Sequence, residues 1–183
     1  MNHTTVLADP ASCFWDILRA DGPSPELADA PPLYDWLIGS WEAEVTDYGE
    51  DGAARSGPAE IHFTWALEGR AIQDLWIAPP RALRHGDLPK RGNRFGTSIR
   101  VYDPALGAWR VTWINPVSLA HDHLIGRREG DDIVQEGRRA DGHLIRWSFR
   151  EITPDSFHWL GEDSEDDGKT WRLQAEFKAR RRA

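Results

Sequence analysis

From Ser40 to Phe177 bulky apolar side chains recur at every second position, and this alternation decides what the chain can fold into. Trp41, Ala43 and Val45 are interleaved with Glu42, Glu44 and Thr46. The same period runs through Ile61, Phe63 and Trp65, through Ile72, Asp74 and Trp76, and through Trp109, Val111, Trp113 and Asn115. It returns in Ile145, Trp147 and Phe149, in Phe157 and Trp159, and in Trp171, Leu173, Ala175 and Phe177. Successive side chains of a strand point to opposite faces, so these segments read as strands with one buried and one wet face. The stretches between them, Glu68-Gly69, Asp103 to Gly107, Gly130-Asp131, Asp141-Gly142 and Pro154-Asp155, have turn chemistry and hairpin length. A parallel α/β sheet is excluded, because its crossovers need helix-length connections. About ten twisted antiparallel strands joined by tight turns tend to close on themselves. The expected fold is therefore all-β, a single antiparallel up-and-down β-barrel.

Before the alternation begins, the period is helical. Asp9 and Pro10 suit a helix start, and Phe14, Ile17 and Leu18 share one side of a helix expected to end near Gly22-Pro23. A Pro/Ala/Asp-rich arm follows, then a turn or two of helix over 33–38 with Leu33, Trp36 and Leu37 facing inward. The expected division is an N-terminal helix and arm over 1–32 and a barrel over 33–183. The longest connection, Pro79 to Asn93, is read either as a flap over one barrel mouth or as a solvated loop.

Charge and cysteine content exclude several function classes. With 30 acidic and 22 basic residues the chain carries a net charge of -8, and its only basic run, Arg180 to Arg182, is terminal. Such a balance repels phosphate backbones, so no nucleic-acid partner is expected. A lone cysteine, Cys13, rules out an internal disulfide and a multi-cysteine metal site and suits a reducing compartment. No apolar run reaches membrane-spanning length and no secretion-signal layout opens the chain, so a cytoplasmic protein with no membrane partner is expected. Ten tryptophans are unusual for 183 residues. Placed at alternate positions, they imply a wide aromatic-lined interior or, more simply, core filling by large rings.

Three resemblances add to this reading. Ser164, Asp166, Gly168, Thr170 and Trp171 fit S-x-D-x-G-x-T-W, which resembles the Asp-box hairpin of sialidase propellers; it occurs once here, so it implies a hairpin and not a propeller. Gly39-Ser40-Trp41 is similar to the G-x-W opening of lipocalins and other calycins. Together with Leu67 to Trp76, Tyr102-Asp-Pro, Trp109-Arg and Trp159 to Trp171, it resembles a bacterial lipocalin-like barrel family of unknown function over about residues 33–179. That resemblance implies a generic cavity and a Trp41 packed under an arginine from the far end of the chain, Arg180 or a neighbour. A second similar family, nitrobindin-like barrels, implies haem held by a strand histidine. His158 lies near the corresponding place, but Phe157 and Trp159 claim the inward parity and turn it to solvent.

The inward parity of Ile72, Asp74 and Trp76 puts a carboxylate among aromatic rings, which is costly without a cation beside it. Arg100 on the following strand is the expected partner if Ser98, Arg100 and Tyr102 face inward, against the more apolar set Thr97, Ile99 and Val101. Asp74 is then either half of a structural pair or a ligand-facing acid. His121 and His123 share one face of a strand, a spacing for two metal ligands or for a pocket rim; a third ligand would come from His62, Glu44 or Glu136, which mostly oppose the apolar parity. Asn115 either offers its amide to a ligand, together with Tyr102, or caps its own turn. The acidic run Glu162-Asp163 with Glu165 to Asp167 reads as a solvated loop.

The expected function is binding of a small apolar or aromatic molecule. The candidate residues are Trp65, Asp74, Trp76, Arg100, Tyr102, Trp113, Asn115, His121, His123, Trp147 and Trp159, with no metal or cofactor. The alternatives are an isomerase, cyclase or hydratase with Asp74 or His123 as acid or base, haem binding, and a module that forms a homodimer through an outer face marked by Leu160.

Overall fold

The computed structural model describes residues 10–86, 88 and 92–182, with only the backbone described for 10–13. The expected cap Asp9 lies outside the described residues. A helix α1 (Pro10–Leu18) is followed by a two-residue strand β1 (Arg19–Ala20) and by ten longer ones. These are β2 (Gly39–Tyr48), β3 (Ala54–Ala66), β4 (Ala71–Ala78), β5 (Arg94–Asp103), β6 (Ala108–Asn115), β7 (Ala120–Glu129), β8 (Asp132–Arg138), β9 (Leu144–Arg150), β10 (Ser156–Ser164) and β11 (Arg172–Arg181). From β2 to β11 each strand pairs antiparallel with its sequence neighbour, and β11 pairs back onto β2, so these ten strands form one closed ring. Closure leaves almost no free edge. The exception is the end of β3 beyond Phe63, where β2 has not yet begun; there Ala20 and Arg19 pair with Trp65 and Ala66.

That pairing also ends α1 at Leu18, earlier than the helical spacing predicts, because Arg19 and Ala20 are extended. The helix does not bury its apolar stripe: Phe14, Trp15 and Ile17 are all exposed. The barrel end is filled by the following segment instead. Leu33 and Leu37 turn inward as expected, Leu37 at the end of a single 3-10 turn (Asp35–Leu37), and Tyr34 is fully buried beside them. Its ring lies edge-on to Trp109 and Phe149, and its hydroxyl donates to Gln135 Oε1 at 3.3 Å. Burial pushes the Tyr34 phenol above its ordinary pKa.

The first strand is fastened to the last as the G-x-W resemblance implies. Trp41 Nε1 donates to Leu37 O at 2.8 Å, and the Arg181 guanidinium stands 4.1 Å over the Trp41 ring while donating to Ile38 O and Trp36 O. Arg181 is thus the arginine concerned; Arg182 turns out to Glu42.

The hairpin joining β10 to β11 forms as the Asp-box pattern implies. Ser164 Oγ accepts from Gly168 N, Asp166 accepts from Thr170 N and Oγ1, and Trp171 Nε1 donates to Gly168 O. These donors hold the Asp166 carboxyl at about 2, with the Thr170 backbone N–H contributing most. The acidic run is not uniformly solvated, however. Glu162 pairs with Arg146, and Asp163 is buried, accepting from Gln174 and Arg172. A register shift between Gly161 and Glu162 leaves Gln174 unpaired in the ladder, so the strict alternation read from Trp171 to Phe177 breaks there. Among the described residues no helix is long and apolar enough to cross a membrane.

Candidate functional site

The barrel interior divides into two halves. Around Tyr34 it is filled: Trp41, Phe63, Trp109 and Phe149 are buried in one cluster with Leu33, Tyr34 and Leu37 of the plug segment. The opposite half, at the β6–β7 end, holds a partly open cavity of about 200 Å³. Four tryptophans, Trp76, Trp113, Trp147 and Trp159, line it with Phe177. Trp147 stands between Trp113 and Trp159 (6.2 and 5.8 Å between ring centroids), and Trp159 in turn meets Trp76 at 5.4 Å and Phe177 at 5.5 Å. Two glycines make room for these rings. A Cβ on Gly96 would stand 2.4 Å from the Trp113 ring, and one on Gly161 would stand 2.6 Å from the Trp159 ring. Strand glycines often mark such close approaches.

The interior is therefore narrower than the tryptophan content suggested. Trp36, Trp41, Trp65 and Trp109 pack in the core, and the hollow that four others line lies below the range of about 300–1,000 Å³ typical of drug-sized ligands. A void of about 150 Å³ suffices for benzene in another protein. The scale is that of one aromatic ring with a small substituent.

The polar lining comes from Arg94, Ser98, Arg100, Asn115, Ser118, Asp122, Arg139 and Gln174. Asp74 and Arg100 face inward, each at most 1% exposed, and form a closed ion pair. Asp74 also accepts from Ser98 N, and the Arg100 guanidinium lies 5.1 Å from the Tyr34 ring and 5.5 Å from the Phe63 ring. The polar set of β5 thus turns inward although Thr97, Ile99 and Val101 are more apolar; an inward Asp74 needs its cation. Arg94 pairs with Asp47 and lies over Phe177. Arg139 reaches Asp122 only at 3.5 Å and Gln174 Oε1 at 3.4 Å.

Of the residues expected at a ligand, Trp76, Arg100, Trp113, Asn115, Trp147 and Trp159 converge on this cavity. Asn115 also accepts from Val117 N, so it caps its own turn as well. The other five do not line it. Trp65 is buried in the core at the plug end, Tyr102 packs on Trp109 there, and Asp74 sits behind Arg100. His121 and His123 are a correction: both are exposed, with Asp122 and Leu124 buried between and beyond them. The reason is register, since Trp113 pairs with Asp122 across the β6–β7 hairpin and takes it to the inner face. The two imidazoles lie 4.7 Å apart outside the barrel, and no third His, Cys, Asp or Glu joins them among the described residues. A different group, His143, Asp163 and Glu165, brings its polar atoms within 4.8 Å of one another, but Arg172 and Gln174 already donate to Asp163.

His158 faces outward as its parity implies and is hydrogen-bonded to Glu176. The Pro79–Asn93 connection turns away from the cavity where it is described: Arg81 pairs with Glu60, and Arg84 caps carbonyls of its own loop base. Leu160, expected to mark an outer face, is half-buried, whereas Leu75, Phe95 and Ile114 are exposed on the outside of β4 to β6. Sequence reasoning missed Arg94, Asp122, Arg139, Gln174 and Phe177 as lining residues. Cross-strand register would have found Asp122, while Gln174 depends on the bulge and Arg139 on the turn after β8, which alternation alone does not place.

No family model and no curated protein sequence matches the chain. Solved structures do. One, described as the crystal structure of Rv2717c from M. tuberculosis, superposes with a TM-score of 0.58 at 16% identity, covering 88% of this chain and 99% of that one. Another, the S-type phycobiliprotein lyase CPES from Guillardia theta, gives 0.52 at 12% identity, covering 88% and 98%. Both are nearly whole-length matches, and they show that this chain shares the fold of those proteins, a closed ten-stranded antiparallel barrel.

Proposed function

We propose that this barrel binds a small aromatic molecule of single-ring size. The observation that carries the reading is the cavity of about 200 Å³ lined by the rings of Trp76, Trp113, Trp147, Trp159 and Phe177. Offset and edge-on ring contacts favour a planar guest over a branched aliphatic one of equal volume. Ser98, Asn115, Asp122 and Arg139, among the eight polar residues of the lining, supply contacts that orient a ligand beside the rings.

Acid–base catalysis by Asp74 or His123 has less support. Asp74 is closed against Arg100 and His123 points outward, so neither meets a guest in this cavity. A haem-binding reading lacks a histidine in the lining and exceeds the volume.

Quenching of tryptophan fluorescence by phenol, indole and a two-ring naphthol tests the proposal. Saturable quenching by phenol, lost in Ala175→Phe, which fills the cavity from β11, is the expected result. Equal response of the filled variant, or none in the wild type, would overturn it.

A further inference from the structure

The charges that face the cavity are unbalanced in a way that identifies the polar end of its guest. Three guanidiniums line it, those of Arg94, Arg100 and Arg139, against the single carboxylate of Asp122. Arg94 and Arg100 are each paired with a carboxylate outside the lining, Asp47 and Asp74, whereas the carboxylate beside Arg139, Asp122, lies in the lining itself. Low-dielectric aromatic walls strengthen the field of these charges relative to open solvent. Two of these arginines also have hydrogen-bonding capacity to spare. Arg100 Nε is buried without an acceptor. Arg139 is held only by the 3.5 Å and 3.4 Å contacts to Asp122 and Gln174, longer than a good charge-assisted bond.

From this geometry we infer that the natural guest is a planar single-ring carboxylic acid, its ring among Trp76, Trp147 and Trp159 and its carboxylate on Arg139. The inference rests on the proposed binding function and adds the charge of the ligand to it. A guanidinium fork donates two parallel N–H bonds to a carboxylate, and Arg139 has donors left beyond its long contacts with Asp122 and Gln174. A cationic guest fits the four rings equally well by cation–π attraction, but it would face three guanidiniums with only Asp122 in its favour.

Calorimetric titration with benzoate, benzyl alcohol and benzylamine separates these cases, since the three match in ring and differ in charge. Benzoate is expected to bind at least about tenfold more tightly than the other two. Arg139→Gln is expected to remove that preference, and Arg139→Lys is expected to restore part of it. Equal binding of benzoate and benzyl alcohol, or tighter binding of benzylamine, would overturn the assignment of charge while leaving an aromatic-binding barrel intact. Binding of none of the three would remove both.

Discussion

The Asp74–Arg100 pair is the test of how the interior is held open on one side and solid on the other. Both side chains are at most 1% exposed, and Asp74 has two donors, Arg100 and Ser98 N, while Arg100 has Asp74 and two aromatic faces. Removing one member of a buried pair strands the other charge and costs about 3–5 kcal/mol. D74N keeps an acceptor for Ser98 N and leaves Arg100 against Tyr34 and Phe63, so its expected cost is near 3 kcal/mol. R100M strands the carboxylate with a single donor, and about 4–5 kcal/mol is expected. Against a usual total of about 5–15 kcal/mol either loss is large. The double variant D74N/R100M removes both charges and should recover about 2 kcal/mol or more relative to the sum of the singles. Urea unfolding followed by far-UV circular dichroism measures all three, with unchanged slope as the check on a common unfolded state. Single costs below about 1 kcal/mol, or strict additivity, would refute the claim that the two charges are buried against one another.

Other parts of the account make separate predictions. Gly161→Ala places a Cβ 2.6 Å from the Trp159 ring; the ring must swing into the cavity, lowering phenol affinity in the quenching assay at least tenfold and stability by about 1–3 kcal/mol. Arg181→Met removes the contact over Trp41 and two hydrogen bonds to the plug segment, and about 2–3 kcal/mol should be lost in the same urea experiment. Glu60 is held at about 2, below its ordinary 4.5, chiefly by hydrogen bonds from Arg81. Its contribution is present above pH 4.5 and is lost as the pH falls towards 2. Because Arg81 is 61% exposed, solvent screening limits the effect to about 1–2 kcal/mol. The stability difference between wild type and Glu60→Gln should therefore shrink over that acid range, and a pH-independent difference would contradict it.

Most of the barrel was legible because its signal is local. Trp41, Phe63, Trp76, Trp147 and Phe149 face inward as two-residue alternation predicts, and the Asp-box residues fix their hairpin without reference to the rest of the chain. What alternation does not encode is the register between strands and the assignment of faces when polar and apolar sets compete. His121 and His123 were misread for that reason: their own strand offers no strong apolar parity around them, and only the pairing of Trp113 with Asp122 decides the face. On β5 the more apolar set points outward because Asp74 on the neighbouring strand requires Arg100 inside. Tyr34 closes one end, yet helical spacing over 33–38 selects Leu33, Trp36 and Leu37 as the inward set and passes it over; the structure has only a single 3-10 turn there, which lets Tyr34 point inward as well. The size of the cavity is the quantity furthest from the sequence, since it depends on which tryptophans meet Tyr34 and Phe149 and which do not.

The central claim, a one-ring hollow among Trp76, Trp113, Trp147 and Trp159, is tested most directly by anomalous diffraction from crystals grown with 4-iodophenol. The account predicts a single strong iodine peak inside the barrel at the β6–β7 end, within contact distance of those rings, and its disappearance in Ala175→Phe. Iodine bound solely on the outer surface, or an interior whose tryptophans close over the space without admitting the ring, would contradict it.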